Sequence, residues 1–596
     1  MPIWIFPASC INTPQHLLKK LMIQWSKDSL HQQYLVSNND KFRLRLNMLD
    51  YQKTVENFDL DAVAKQYLSG SMQAVNACYE CCDRHADSDA IALYWYGKDG
   101  RKEQYSFREL KKYSSQFANF LKSQGIGKGD RVSGLLPRTP ELIITILATW
   151  RIGAVYQPLF TAFGPKAIEH RIQLAQSKLV VTDLANREKL SEISNCPPIV
   201  TVQAELQAEV YPQDLSFWRV LNRQAENCEL EMLGIDEPFL LMFTSGTTGP
   251  AKPLKVPLKA LIAFAGYMHN AIGLTEDDAF WNIADPGWAY GLYYAITGPL
   301  LLGHATLFYE GGFNAESVCE IVKEYGITNL AGAPTAYRMM MAADPAQMAQ
   351  LRGKLRVVSS AGEPLNPEVI RWFKEVLDVP IYDHYGQTEV GMVVCNHHAL
   401  EHPVHSGSAG FASPGYRIAV VDEQGHELAA DVPGILAVDI SQSPMMWFSG
   451  YEESRKSPFV GHYYLTGDTA EIHADGSMSF VGRSDDVITT SGYRVGPFDV
   501  ESALLEHDAV IEAAVIGVPD PERTEIIKAF VILASHSPAT AELQQELGQF
   551  VKKRLSAHAY PRLIEFVTEL PKTPSGKIQR FLLRNQEINK QQARTA

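Results

Sequence analysis

The chain has 596 residues, more than a single core usually accommodates, so at least two domains are expected. Its 46% hydrophobic and 20% charged composition is that of a globular protein, and a net charge of −14 excludes a general nucleic-acid binder. Any polyanionic substrate must then be met by a local basic patch. Eight cysteines without regular spacing exclude a disulfide framework and fit a reducing compartment.

Residues 1–47 stand apart. They carry six Lys/Arg against Asp28 and Asp40, lack glutamate, and suggest an amphipathic helix over 15–25. A mitochondrial transit peptide would suit the missing glutamate, yet arginine occurs only at Arg43 and Arg45. An optional extension, or an over-called start upstream of Met48, fits as well. The first twelve residues lack a basic stretch and are broken by Pro2 and Pro7, which argues against a signal peptide. A cytoplasmic location is expected, with the mitochondrial matrix as the alternative. Further on, Cys78, Cys81, Cys82 and His85 share helical spacing and read as a buried helix face rather than a metal site.

From about residue 105, helices and strands alternate. Helices are expected over 107–124, 141–150, 166–175, 317–325 and 368–377, and strands over 131–136, 155–160, 179–182, around Leu330 and over 379–382. Such alternation implies an α/β layered fold with parallel-rich sheets. Residues 286–309 contain no charged residue and are long enough to span a membrane. Pro286, Gly287, Gly291, Gly298, Pro299 and Gly303 interrupt them, so a buried helix followed by a buried strand is the better reading. Residues 406–481 are rich in short strands and turns. A boundary falls at 482–486, after which helices at 497–506 and 541–555 and strands at 511–518, 528–534 and 563–567 outline a small α+β domain. The polar tail from Arg584 is expected to fray. The expected units are an extension at 1–47, a large domain at 48–484 and a small one at 485–590.

The most informative run is Thr244, Ser245, Gly246, Thr247, Thr248, Gly249 and, past Pro250 and Ala251, Lys252. It follows the apolar run 239–243. Hydroxyls and glycine-exposed backbone N–H groups on a loop leaving a strand make a phosphate cradle, with lysine supplying charge at its edge. The spacing is not that of a Walker A loop. Other polar segments join it. Ser359, Ser360, Ala361, Gly362, Glu363 and Pro364 follow one expected strand. Asp383, His384, Tyr385, Gly386, Gln387, Thr388 and Glu389 follow another. Near the boundary lie Tyr464, Leu465, Thr466, Gly467 and Asp468, then Gly482, Arg483, Ser484, Asp485 and Asp486, then Ser491, Gly492, Tyr493 and Arg494. Pro571, Lys572, Thr573, Pro574, Ser575, Gly576 and Lys577 lie near the C-terminus.

Singly, each is a polar turn. In this order they closely resemble the adenylate-forming superfamily of acyl-CoA synthetases, luciferases and peptide-synthetase adenylation domains, over about residues 48–585. The resemblance implies an ATP-dependent acyl-CoA synthetase. A carboxylate displaces pyrophosphate from ATP, then CoA displaces AMP from the acyl-adenylate, with ATP, Mg2+ and CoA as cofactor and co-substrates. By resemblance, the 244–249 loop holds the β- and γ-phosphates and Thr388 the α-phosphate. Glu389 ligates Mg2+, while Gly362, Glu363, Pro364, Asp383, His384 and Tyr385 frame the adenine beside Gly386 and Gln387. Asp468 holds the ribose hydroxyls, Arg483 sits near the ribose, and Arg494 sits near the phosphates. Lys577 is the mobile catalytic cation and Asp485 the hinge.

The segments around Asp285, Pro286, Gly287 and Trp288, and around Asp485 to Arg494, are similar to the acetyl-CoA and medium-chain acyl-CoA synthetase branch. Acetate-specific relatives close the acyl pocket with a tryptophan where Gly386 stands. Loss of an indole suggests an opened pocket, with Trp288, Ala289, Tyr290 and Ala361 as further lining. Tyr290 would cap it or bond a polar acid. A short- to medium-chain acid is therefore favoured over acetate. Gly492, Lys552, Lys553 and Arg171 are candidates for CoA. Close relatives carry arginine at position 552, so the bidentate fork is lost there. Pro253 replaces the glycine usual after the loop lysine. His398, Glu401 and His402 match an inverted zinc-protease pattern, but Pro403 follows at once, against the helix that pattern needs. Rival readings are an acetate-specific enzyme, an adenylating enzyme that loads a carrier protein, and a catalytically silent nucleotide binder. The expected partners are small molecules, with no nucleic acid and no integral membrane segment.

Overall fold

A computed structural model describes residues 48–203, 211–244, 251–452, 457–484, 486–490, 493–520, 523–535, 537–556, 559–572 and 577–595. Expectations for the 1–47 extension, for Ser245 to Gly249, and for Asp485 and Gly492 lie outside these residues.

Seven short runs build the first sheet. Its strand order is Lys252–Pro257, Pro238–Thr244, Val155–Pro158, Arg131–Leu135, Leu179–Asp183, Ile199–Val202 and Leu215–Ser216. All neighbours are parallel except the first pair. Strands 131–135 and 155–158 are buried almost throughout, as a parallel sheet covered on both faces requires. One cover is the helix Phe107–Ser123, which starts at a reciprocal Ser106–Glu109 capping box and buries Leu110, Phe117 and Leu121. Another is Pro140–Arg151, whose last residue is 1% exposed and forked onto Asp83 at 2.5 and 2.9 Å. Cys78, Cys81 and Cys82 are buried, as their spacing indicated, and remain free thiols.

The second sheet runs Phe280–Asn282, Asn329–Gly332, Val357–Ala361, Ile381–Gln387, Gly391–Cys395, Ser408–Ala412, Met478–Arg483, Tyr463–Ile472, Gly434–Asp439 and Ile418–Val421, with Phe459–Val460 paired to 463–472. The first four strands are parallel and the rest antiparallel. Two expected motif loops are thus strand residues. Ser359 to Ala361 and Asp383 to Gln387 belong to the strands they were expected to follow. The uncharged 286–309 run forms buried helical turns up to Gly298–Leu301 and the strand Thr306–Tyr309. That strand pairs with a hairpin, Ile91–Tyr96 and Lys102–Ser106, that the sequence did not signal. No helix among the described residues is long and apolar enough to cross a membrane.

Past residue 486 a separate sheet forms from Tyr493–Val495, Ile488–Thr490, Thr524–Leu533, Val510–Asp520 and Leu563–Phe566. Its own core joins Val500 and Leu504 of the helix Pro497–Leu505 to Val515, Ala529, Leu547 and Val551. The tail does not fray at Arg584. A helix, Arg580–Thr595, continues through it and is anchored by charge: Lys528 bridges Glu587 at 2.8 Å and Glu565 at 2.6 Å, and Arg584 pairs with Asp486.

Candidate active site

Strand alternation sorts the 381–387 residues onto two faces. Tyr385 and Gln387 point to one side, where Asp468 is 4% exposed. Its Oδ2 accepts the Tyr385 hydroxyl at 2.5 Å and Gln387 Nε2 at 2.8 Å. Gln387 is fixed in turn, because its Oε1 accepts the Tyr464 hydroxyl at 2.9 Å. Arg483, the cross-strand partner of Asp468, reaches Oδ1 at 3.2 Å. Burial raises the Asp468 pKa, and Arg483, Tyr385, Gln387 and the charge of Lys577 oppose that rise. Lys577 is an exposed residue of the C-terminal unit, so its ammonium acts across the two units on this carboxylate.

Next along the chain, the Thr388 carbonyl accepts the Tyr293 hydroxyl at 3.0 Å. Glu389 is 7% exposed and accepts the Tyr451 hydroxyl at 2.5 Å. Burial raises its pKa, and the Tyr451 hydroxyl and the Arg483 charge oppose that rise. The Tyr451 ring has Lys252 Nζ 5.1 Å from its centre, which ties Glu389 to the strand pair carrying Thr244. Glu389 with the threonine oxygens is a hard-oxygen set suited to Mg2+ arriving with ATP phosphates, and the cation would supply the missing positive charge.

At the far side Gly362 has φ of 96° and open space where a side chain would stand. Glu363 is held by Thr335 Oγ1 at 2.9 Å and Arg338 Nη2 at 3.0 Å. Asp383 accepts the backbone N–H groups of Leu365 at 3.2 Å and His384 at 3.1 Å. Enclosure pushes its carboxyl up to about 8.

Three expectations need correction. His384 does not turn toward an adenine pocket. It is 2% exposed, its Nε2 is 3.0 Å from the Asn396 carbonyl and its Nδ1 is 2.8 Å from the Tyr267 hydroxyl. A carbonyl only accepts, so Nε2 carries the proton and Tyr267 donates to Nδ1. The Tyr290 hydroxyl lies 3.3 Å from that of Tyr267 and completes the chain. Gly386 does not face an empty volume in its side-chain direction. A Cβ there would lie 2.2 Å from the Gly391 carbonyl oxygen and 2.7 Å from Met392 Sδ, at a bulge between 385 and 386. Arg171 is not a surface contact for CoA phosphates. It is 7% exposed, donates to the Ala167 carbonyl of its own helix, and lies 4.1 Å over the Phe163 ring.

The remaining candidates are placed as follows. Trp288 packs on Phe160 and Phe163 at 5.3 and 5.4 Å, Ala289 is half-buried, and Ala361 is buried. Lys552 lies 5.2 Å over the Tyr560 ring, and Lys553 is exposed. Arg494 is in a strand, opposite Thr489. His398, Glu401 and His402 lie on extended chain that includes the strand Leu400–Glu401, and His398 stacks on Tyr382 at 4.2 Å, so the helix a zinc-protease pattern requires is missing. Tyr451 and Tyr267 had no signal in the sequence, because isolated tyrosines outside motifs look like core.

A site of this make-up, with a caged acid at Asp468, a second buried acid at Glu389 and a lysine brought in by a separate unit, fits a nucleotide-activating enzyme. The model of the AMP-binding enzyme family matches residues 80–451, and that of the AMP-binding enzyme C-terminal domain matches residues 499–577. The chain belongs to this adenylate-forming family. An acetyl-coenzyme A synthetase of Bacillus subtilis (strain 168) is 39% identical over 556 residues, covering 91% of this chain and 96% of that relative. The mitochondrial acyl-coenzyme A synthetase ACSM4 of Rattus norvegicus is 37% identical and covers 83% of this chain and 86% of its own. Among solved structures, an acyl-CoA synthetase of Brucella canis is 57% identical with a TM-score of 0.75, covering 91% of this chain and 100% of that one. An anthranilate CoA ligase in complex with anthranoyl-AMP is 27% identical with a TM-score of 0.78, covering 86% of this chain and 97% of that one. The protein is an AMP-forming acid–CoA ligase that uses ATP, Mg2+ and CoA.

Proposed function

We propose that this ligase activates short- to medium-chain carboxylic acids, with the large unit at 48–484 holding ATP and acid and the unit at 485–590 supplying Lys577. The carrying observation is the Asp468 cage, into which Lys577 projects its charge from the other unit. Asp468 receives the ribose hydroxyls, Tyr385 and Gln387 hold it in place, and Arg483 balances its charge. The 244–249 loop, Lys252, Thr388 and Arg494 receive the phosphates, and Glu389 would hold Mg2+, which would supply positive charge beside them. Gly362, Glu363, Pro364 and Asp383 border the base.

Attack of an acid on ATP joins two anions, so positioning and neutralisation carry the catalysis. Lys577 lies between them, drawing acid and α-phosphate oxygens together. Ala289, Tyr290 and Ala361 line the acid's chain, and Trp288 walls its mouth. Gly492 and Lys552 meet CoA. Free thiols among the described cysteines support a reducing compartment, cytoplasmic or matrix.

The test is AMP release from ATP and Mg2+ with straight-chain acids from acetate to decanoate plus benzoate, with and without CoA. The expected result is CoA-dependent AMP with an optimum beyond acetate. An acetate optimum would overturn the chain-length reading, and AMP release with a loaded carrier protein but not CoA would overturn the acceptor.

A further inference from the structure

The residues that follow Lys577 are fixed from several sides. Ile578 forms an antiparallel bridge with Lys572, and the Gln579 N–H donates to the Pro571 carbonyl at 2.8 Å. The Ile578 side chain packs against the cluster of Ile516, Phe530, Leu570 and Leu583. The helix Arg580–Thr595 then begins, and its first residue is anchored by charge.

Arg580 spreads a fork over Glu501. Its Nη2 donates to Oε2 at 2.7 Å and to Oε1 at 2.8 Å, and its Nε donates to Oε1 at 3.1 Å. Glu501 is 6% exposed and also accepts the Val515 N–H at 2.8 Å, so its carboxylate cannot swing. The other arm of Arg580, Nη1, lies 3.7 Å from Asp486 Oδ2, and Arg584, one turn on, pairs with the same carboxylate. Asp486 holds the large unit through its backbone, because its N–H donates to the Arg483 carbonyl at 2.9 Å. Arg483 is the residue that reaches Asp468. A line from Lys577 through Arg580, Asp486 and Arg483 thus closes on the caged acid. The charge of Glu363, in the large unit, also acts on Arg580. Among the described residues, Arg580 bonds no group assigned to ATP or to the acid.

We propose that Arg580 is a positioning residue for adenylation: its fork on Glu501 and its contact with Asp486 fix the end of the Lys577 segment to the residue just past the pivot, so that docking of the two units delivers the ammonium to one place. The inference rests on the reading of Lys577 as the adenylating cation. Catalysis by a held group falls steeply when that group is displaced, even by about 1 Å. The thioester step does not use Lys577 and does not need this anchor.

The experiment measures both half-reactions by rapid quench with the best acid of the panel above: pyrophosphate release without CoA, and CoA-dependent discharge of the preformed acyl-AMP. The wild type is compared with Arg580→Met, Arg580→Met/Glu501→Leu, Lys577→Ala and Lys577→Ala/Arg580→Met. Arg580→Met alone strips a buried carboxylate of its cation and can unfold the small unit, whereas adding Glu501→Leu removes both charges together. The expected result is adenylation about 10- to 100-fold slower in both variants that lose Arg580 alone or with Glu501, with discharge within about threefold of wild type. Adding Arg580→Met to Lys577→Ala should slow adenylation by less than about twofold more, because the group being positioned is already gone. Equal losses in both half-reactions, wild-type adenylation in Arg580→Met/Glu501→Leu, or a second full loss on top of Lys577→Ala would overturn the inference and leave Arg580 a structural contact. If Lys577→Ala itself adenylates at the wild-type rate, the lysine reading fails and the inference falls with it.

Discussion

Asp383 is a carboxyl that the fold keeps enclosed between two backbone N–H donors, with no cation among the described residues at bonding distance. Enclosure outweighs both donors and lifts its pKa from 3.8 to about 8. A raised carboxyl binds a proton more tightly folded than unfolded. Its stabilising contribution is full below the unfolded pKa near 4 and is lost as pH rises toward about 8, at up to ~1.4 kcal/mol per pH unit. Asp383→Asn removes that titration and keeps an acceptor oxygen for one of the two N–H groups, a loss that is the same at every pH. Urea midpoints of the free enzyme should therefore diverge between pH 4 and 8, with the variant gaining on the wild type and the gap levelling off above 8. Parallel curves would mean that Asp383 ionises normally. Motif order singled out Asp468, Glu389 and Lys577, and the fold buries the two acids near one another and brings the lysine charge to bear on Asp468. What a motif could not give was orientation. His384 and Gly386 sit inside the most telling segment, yet one faces the core and the other lies against the carbonyl of Gly391. Strand alternation and a bulge decide this, and both depend on a partner strand that no local pattern identifies.

Helices and strands with a clear apolar period emerged within a few residues of expectation, because burial of one face dictates both the pattern and the element. One error falls where charge does the anchoring. The tail beyond Arg584 is too polar to suggest order, but Leu583 is buried and Glu587 reaches inward to Lys528. The Lys528 side chain is 8% exposed and shared between Glu587 on the helix and Glu565 on the edge strand. Lys590 also bridges Glu587 at 2.8 Å and Glu565 at 3.2 Å, so removing Lys528 leaves each carboxylate one exposed partner and costs less than the about 3–5 kcal/mol of stripping a buried charge bare. Lys528→Met should lower unfolding stability by ~1–2 kcal/mol in guanidinium titrations. Adding Glu587→Leu should recover most of that loss. If the double variant is as unstable as the single one, the helix is held by Leu583 and its neighbours rather than by the charges.

The molecule as a whole is two units with separate cores, docked so that Lys577 of one projects its charge onto Asp468 of the other. Two successive chemistries have to share this site, and the groups needed differ. Adenylation needs a cation between carboxylate and phosphate, whereas thioester formation needs CoA to approach an adenylate already made. The docked arrangement serves the first, so the second requires the C-terminal unit to move about residues near 485, an expectation that rests on the family resemblance. Two substitutions should then split the reaction in opposite senses. Lys577→Ala deletes the cation and should slow acyl-adenylate formation by ~10²–10³, while CoA still discharges preformed acyl-AMP near the wild-type rate. Asp485→Pro fixes one backbone angle at the pivot. It should leave the pyrophosphate burst within a few-fold of wild type and depress the CoA-dependent step at least tenfold. Rapid-quench measurement of both steps decides between this and a static site. Equal losses in both half-reactions for either variant would mean that one docked arrangement carries out the whole reaction.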